Sequence, residues 1–139
     1  MKKGVRIRFL TQECVKNLIL TPFFTFPLGV SFHGFGMVVV LSTFPDAAQA
    51  RRVGRMLVEE RLVACVTLMP KAESFFMWEG AIQTATEVLT LFKTTRVAYP
   101  ALEVRLNELH PYDVPEIIAL PVESGLAAYV GWVEALGGG

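Results

Sequence analysis

The chain has 139 residues, of which 53% are hydrophobic and 19% are charged. This length allows one domain with a hydrophobic core, and the composition excludes intrinsic disorder. Basic and acidic residues both number 13, so the formal net charge is zero. The absence of a basic run argues against nucleic acid as a partner, because neutralising phosphates requires clustered Lys and Arg.

The first 36 residues differ in composition from the rest. They hold five basic residues and one acidic residue, whereas the remainder holds eight basic and twelve acidic residues. Polar residues and prolines interrupt their apolar segments, which argues against a secretory signal or a transmembrane helix. A transit peptide and a tail upstream of the true start at Met37 both stay open. We expect residues 1–36 to be an N-terminal extension and residues 37–139 to be the domain.

The two cysteines, Cys14 and Cys65, fall in segments of different character and form no C-x-x-C motif. We therefore expect no disulfide framework, and we expect the protein to be located in the reducing cytoplasm.

The domain begins with a strand and a helix. The continuous apolar run Met37–Leu41 predicts a strand that is covered on both faces. Asp46 followed by Gln49 resembles a capping box, which predicts a helix over Ala47–Arg61. Apolar residues recur in this helix every three or four positions and predict one buried face.

A long hairpin is predicted next. Leu62–Leu68 is a second apolar strand, Pro70 allows an edge or a bend, and the pattern resumes through Ser74–Trp78. Glu79-Gly80 is a turn signal before a third strand over Ile82–Thr94. Because both faces of this hairpin are apolar, we expect helices on one face and other copies of the chain on the other.

The remaining elements complete a known arrangement. A second helix is predicted over Pro100–Leu109, a fourth strand over Ile117–Val122, and a last helix between Ser124 and Gly137. Residues 37–122 thus have the order β-α-β-β-α-β, which is typical of the α+β ferredoxin-like fold. Right-handed crossovers place both helices on one face of an antiparallel sheet, and the last helix is additional.

The segment His110–Ile117 carries the highest density of polar groups. Pro111 and Pro115 restrict its backbone to extended conformations. It contains an imidazole, a phenol and two carboxylates, from His110, Tyr112, Asp113 and Glu116. A binding site at this helix-to-strand junction and a purely local role in capping and pairing are equally consistent with the pattern.

Five motifs occur in order: Ala64-Cys65-Val66, Ser74–Gly80, Lys93-Thr94, His110–Ile117 and Tyr129-Val130-Gly131-Trp132. With them the sequence, from Met37 to about Leu136, resembles the CutA divalent-cation-tolerance family. The resemblance implies a ferredoxin-like homotrimer that is usually cytoplasmic in bacteria, linked to metal-ion tolerance and to copper binding. It implies no enzyme activity and no catalytic residues.

The sequence departs from the family pattern at three places. Thr67 stands where Asn is common, and Phe76 stands where Tyr is common, which removes a hydroxyl. Residues 1–36 have no counterpart in short family members.

Cys65 and His110 are the soft-ligand candidates of the domain. Thiolate and imidazole suit copper or zinc, and carboxylates such as Glu79, Asp113 or Glu116 could complete a metal site. Their spacing matches no metal motif, however. The alternatives are that Cys65 is a small buried core residue and that His110 interacts with the end of a helix. No metal is expected to be required for folding.

Lys93 lies near the end of an otherwise apolar predicted strand. Because a buried amine needs a polar partner, we expect Lys93 to have one. Asp113 or Glu116 could supply it. We therefore expect a ligand cleft between subunits, formed by Trp78, Glu79, Lys93, Tyr112, Asp113 and Glu116.

The sequence thus predicts a homotrimeric protein of tolerance or response to divalent metal ions, with copper as the first candidate. Its partners are other copies of itself and a metal ion, with no nucleic acid and no membrane expected for residues 37–139. The alternative is a trimeric sensor of a small anion or nucleotide, by analogy of fold with the PII signalling proteins. A hydrolase or isomerase is disfavoured, because no nucleophile–base pair can be placed.

Overall fold

The computed structural model describes residues 36–136. The elements are β1 (Met37–Phe44), α1 (Ala47–Glu59), β2 (Cys65–Trp78), β3 (Ala81–Thr95), α2 (Tyr99–Leu109), β4 (Ile118–Pro121) and α3 (Ala127–Leu136). The predicted order of elements is confirmed. Apart from Gly36, the predicted extension lies outside the described residues.

The four strands form one sheet in the order β2-β3-β1-β4, and all neighbouring strands are antiparallel. This is the predicted ferredoxin-like arrangement. Helices α1 and α2 cover one face of the sheet, and the core between them contains Val40, Phe44, Leu57, Phe92, Leu102 and Leu106, all fully buried. At the start of α1, Asp46 accepts a hydrogen bond from the backbone of Gln49, as the capping pattern predicts.

Strand β2 is longer than predicted and continues past Pro70. The pairing register with β3 shifts between Met69 and Ala72, and Lys71 has a positive φ of 66°. This is a β-bulge, and β2 lies at the edge of the sheet, where proline removes no needed hydrogen bond. The strand also begins at Cys65 rather than Leu62, because the chain is still turning after α1.

The β2–β3 hairpin extends well beyond the rest of the sheet. Strand β1 pairs with β3 only from Val88 to Thr95, whereas residues 81–87 of β3 pair with β2 alone in the described part of the chain. These residues form a two-stranded arm of about 20 Å. At its tip Glu79 and Gly80 both have positive φ, at 48° and 79°, which is the geometry of a tight two-residue hairpin turn.

Helix α3 packs on the face of the sheet opposite α1 and α2, with Val130 and Val133 buried against Met37. The start of this helix differs from the prediction. Val130 donates to the carbonyl of Leu126, so the helix starts after Leu126 and not at Ser124. Leu126 itself is 75% exposed. No helix within residues 36–136 is long and apolar enough to cross a bilayer.

The core between α1 and the sheet gives a direct test of this packing. Leu57 is fully buried, and its neighbour Val58 is 40% exposed. We expect Leu57→Ala to lower the free energy of unfolding by about 2–5 kcal/mol, because it leaves a cavity. Val58→Ala is the matched control and should cost less than about 1 kcal/mol. Urea unfolding at fixed protein concentration measures both, and equal losses would contradict the described packing.

Candidate functional site

A polar cavity of about 370 Å³ lies at the step where β1 ends and the two-stranded arm begins. We call it the step cavity. It is lined by Thr43, Ser74, Phe75, Phe76, Glu87, Tyr112, Val114 and Glu116. Glu87 immediately precedes Val88, the first residue of β3 that pairs with β1, and it is only 2% exposed. The cavity therefore combines residues from three strands and from the segment after α2.

His110 fixes the start of that segment. It follows the last turn of α2 in an extended conformation, and its ring centroid lies 4.3 Å from that of Phe44. Its Nδ1 accepts a hydrogen bond of 3.1 Å from the backbone N–H of Tyr112. The other nitrogen, Nε2, lies 3.1 Å from the carbonyl oxygen of Thr43, so it carries the proton and donates.

The protonation state of His110 agrees with this geometry. Burial lowers the pKa of His110 to about 4, although the Thr43 carbonyl and the Glu87 carboxylate act in the opposite direction. The ring is therefore neutral near pH 7, and both nitrogens form hydrogen bonds within the chain. To bind a metal, His110 would have to give up one of these bonds.

Tyr112 connects the same segment to the base of the arm. Its hydroxyl donates to Oε1 of Glu87 at 2.7 Å. Burial and the hydrogen bond to Glu87 raise the pKa of Tyr112, so the phenol keeps its proton and continues to donate. His110, Tyr112 and Glu87 thus form a chain of contacts from the end of α2 to the wall of the step cavity.

The residues of the predicted cleft are spread over the molecule. Tyr112 and Glu116 line the step cavity, whereas Asp113 lines a separate groove beside α2. Trp78 and Glu79 lie at the arm tip, where Trp78 pairs with Ala81. Lys93 lies twelve residues further along β3, roughly 40 Å away along the strand. One chain therefore does not bring these residues together.

Within the described chain Lys93 has neutral partners, and neither Asp113 nor Glu116 pairs with it. Its Nζ donates to Oγ1 of Thr67 at 2.5 Å and to the Leu91 carbonyl at 3.3 Å. The reason is position: Lys93 lies opposite Cys65 in the β2–β3 pairing, near the end of β3 remote from the arm. A pairing across protomers stays a prediction.

Cys65 and His110 are also apart. Cys65 pairs with Lys93, whereas Thr43, which His110 contacts, pairs with Leu89. Four residues of strand correspond to about 13 Å. The Cys65 thiol lies 3.5 Å from the Tyr129 hydroxyl. Within residues 36–136 no group of three or more His, Cys, Asp or Glu side chains is placed to hold a metal. The described residues of one chain therefore do not form a metal-binding site by themselves.

The sequence prediction missed six of the eight residues of the cavity wall: Thr43, Ser74, Phe75, Phe76, Glu87 and Val114. A signal for Glu87 was present, because it is a carboxylate within a largely apolar strand, as Lys93 is an amine within one. No local pattern indicates Thr43 or Ser74, which reach the cavity only through strand pairing.

His110 makes stability depend on pH. In an unfolded chain its pKa is about 6.5, and in the fold it is about 4. Between these values the unfolded state binds the proton and the folded state does not. The free energy of unfolding therefore falls as pH decreases from 6.5 to 4, by on the order of 3 kcal/mol.

Urea unfolding at pH 7 and at pH 4.5, at fixed protein concentration, measures this loss. We expect His110→Gln to be less stable than wild type at pH 7 but to lose about 2 kcal/mol less on acidification. Carboxylates titrate in both proteins and cancel in the comparison. Parallel pH profiles of the two proteins would contradict the assignment.

Comparison with known proteins agrees with the fold. Residues 38–136 match the family described as CutA1 divalent ion tolerance protein. The divalent-cation tolerance protein CutA of Thermus thermophilus is 46% identical over 96 residues, covering 69% of this chain and 93% of the relative. The protein of the same name from Pectobacterium atrosepticum is 45% identical over 98 residues, covering 70% and 89%.

Solved structures give the same result. CutA from Xylella fastidiosa matches with a TM-score of 0.71 and 42% identity, covering 73% of this chain and 97% of that one. A structure from Archaeoglobus fulgidus, described as a periplasmic divalent cation tolerance protein CutA, matches with a TM-score of 0.69 and 33% identity, covering 72% and 97%. The resemblance predicted from the motifs is confirmed: this chain belongs to the CutA1 family of divalent-ion tolerance proteins.

Proposed function

We propose that the protein is a homotrimer that responds to divalent metal ions, binding a cation or a small ligand where protomers meet, without catalytic activity. Family membership supports the link to divalent cations. The observation that carries the proposed assembly is the exposure of two separate apolar surfaces in the single chain, one on the arm and one on the sheet. The reducing cytoplasm is the proposed location, on cysteine usage.

The first surface is one face of the arm. Phe75, Met77 and Ile82 are 68%, 66% and 70% exposed. They project from two strands that have no third strand beside them in the described part of the chain. An isolated two-stranded ribbon is only marginally stable in water, and exposed apolar residues on it favour contact with another chain.

The second surface is the sheet face opposite α1 and α2. Helix α3 covers only part of it. Beyond α3, Met69, Ile118 and Leu120 are 41%, 48% and 48% exposed. Two different surfaces that bind each other head to tail generate a closed ring when the rotation closes. The family resemblance supplies the number of three subunits.

Light scattering tests the assembly. We expect three times the 15.4 kDa mass of the chain over a wide range of concentration. Phe75→Asp should shift the mass towards that of the monomer, because it places a charge in the apolar contact. Val97→Asp is the control, since Val97 is 88% exposed on a loop away from both surfaces.

A soluble wild-type monomer at all concentrations would contradict the trimer. A chain that begins at Met37 should keep the trimer mass, because we propose that residues 1–36 add nothing to the core fold. Loss of the trimer in that shorter chain alone would show that the extension contributes to assembly.

For the metal, we propose copper or another divalent cation, with a ligand set completed by neighbouring protomers. Of the two soft ligands, Cys65 is the better candidate. Its half-buried thiol has one weak contact with Tyr129, whereas both nitrogens of His110 form hydrogen bonds within the chain. Binding through His110 would require loss of a buried hydrogen bond, which costs about 1–3 kcal/mol.

Titration calorimetry with Cu²⁺, and with redox-inert Zn²⁺ as a comparison, tests this choice. We expect Cys65→Ser to weaken binding about tenfold or more, equivalent to about 1.4 kcal/mol. His110→Gln should change it by less than about threefold, or about 0.6 kcal/mol. Loss of binding in His110→Gln with none in Cys65→Ser would reverse the assignment. Unchanged binding in both variants would exclude the thiol.

The alternative, a PII-like sensor of an anion or nucleotide, depends on a positive charge at the ligand site. Lys93 is the candidate, because its amine has only neutral partners in the described chain. The step cavity does not provide one, because its charged residues, Glu87 and Glu116, are both acidic. An anion site would therefore have to form around Lys93, away from the step cavity.

A further inference from the structure

We propose that the step cavity binds a small amphipathic organic cation, an ammonium or guanidinium group on a short apolar body. This inference goes beyond the proposed function, because the step cavity is lined by residues of a single protomer. It is carried by the volume of the cavity, the charge of its wall and the aromatic ring of Phe76 in that wall.

The volume favours an organic molecule over a bare metal ion. The cavity measures about 370 Å³, whereas one water occupies about 30 Å³ in the liquid. A divalent metal needs several ligand atoms within about 2.0–2.6 Å of one point. Residues around so large a space do not converge in that way, and no metal-binding group of three or more is found within residues 36–136. Small-molecule pockets of about 300–1,000 Å³ have this size.

The charge of the wall selects a cation. Glu87 and Glu116 contribute carboxylates, and none of the eight lining residues is Lys, Arg or His. Glu87 is 2% exposed, so its charge acts at a low effective dielectric constant. The hydroxyl of Tyr112 binds Oε1 and holds the carboxylate in place. An anion would be repelled here, whereas an N–H cation gains charge-assisted hydrogen bonds.

The remaining lining residues match the two parts of such a ligand. Thr43 and Ser74 supply hydroxyl acceptors that suit additional N–H donors. Phe76 supplies an aromatic ring and Val114 an apolar side chain, whereas the ring of Phe75 lies on the opposite face of the arm with Met77. Aromatic faces attract cations and also contact an apolar body. Phe76 offers a ring without a hydroxyl, which makes this wall less polar than a tyrosine would.

Three probes of nearly equal shape test the charge requirement: benzylammonium, benzyl alcohol and benzoate. Titration calorimetry on the full chain should show binding of benzylammonium at least about tenfold tighter than that of benzyl alcohol. Benzoate should not bind. Binding of benzoate or benzyl alcohol as tight as that of benzylammonium would overturn the proposal, as would no binding of benzylammonium.

Variants locate the binding. Glu116→Gln removes one charge from an exposed position, and Glu87→Gln removes the other while keeping an oxygen that accepts from Tyr112. Each should weaken benzylammonium binding about tenfold and leave benzyl alcohol unchanged. Glu123→Gln is the control, because Glu123 is exposed and lies outside the cavity wall. An unchanged affinity in Glu116→Gln and Glu87→Gln overturns the assignment. If Glu87→Gln does not fold, Glu116→Gln alone decides.

The same samples separate this inference from the proposed function. If the protein is a trimer that binds Zn²⁺ or Cu²⁺ but not benzylammonium, only the inference fails. If benzylammonium binds to a protein of monomer mass without metal affinity, the proposed function fails and the inference stands, because one protomer supplies all eight lining residues.

Discussion

The difference in length between the β2–β3 hairpin and β1 determines the arrangement of the rest of the molecule. Strand β1 ends its pairing at Phe44, opposite Val88, while the hairpin continues to its turn at Glu79-Gly80. Three consequences follow from this one step. The arm has only two strands, its apolar face is exposed, and a cavity lies where the sheet narrows from three strands to two. Glu87 occupies the first position beyond the step, where it is buried and its carboxylate accepts a hydrogen bond from Tyr112.

The segment after α2 closes that step, and its rigidity comes from two sources. Pro111 and Pro115 restrict the backbone, and the neutral imidazole of His110 bonds to β1 on one side and to Tyr112 on the other. Protonated imidazole has no acceptor, so Tyr112 would lose its backbone contact. The burial of His110 therefore has two effects: it lowers the pKa of the imidazole, and it keeps the ring neutral so that it can hold Tyr112 in position. The imidazole here is better suited to hold Tyr112 against Glu87 than to bind a metal.

The sequence predicted what depends on local pattern. Apolar periodicity, the cap at Asp46 and the turn at Glu79-Gly80 suffice for the order of elements and for the long hairpin. The partners of Lys93 could not be predicted in the same way, since they depend on the register between β2 and β3, and the bulge after Met69 alters that register. The cleft was predicted between subunits, and it stays a prediction, because one chain holds Trp78 and Lys93 far apart along the β2–β3 hairpin.

This separation divides the chemistry of the chain between two ends of the sheet. Cys65 and Lys93 lie opposite each other near one end of the β2–β3 pairing, and the carboxylates of the step cavity lie near the base of the arm. A thiol beside an amine and a carboxylate beside an aromatic ring suit different ligands. Because a strand cannot shorten, the arm tip with Trp78 can meet Lys93 only if the two come from different protomers. Assembly, rather than any motion within one chain, is thus the physical route by which these two sets of residues can act on each other.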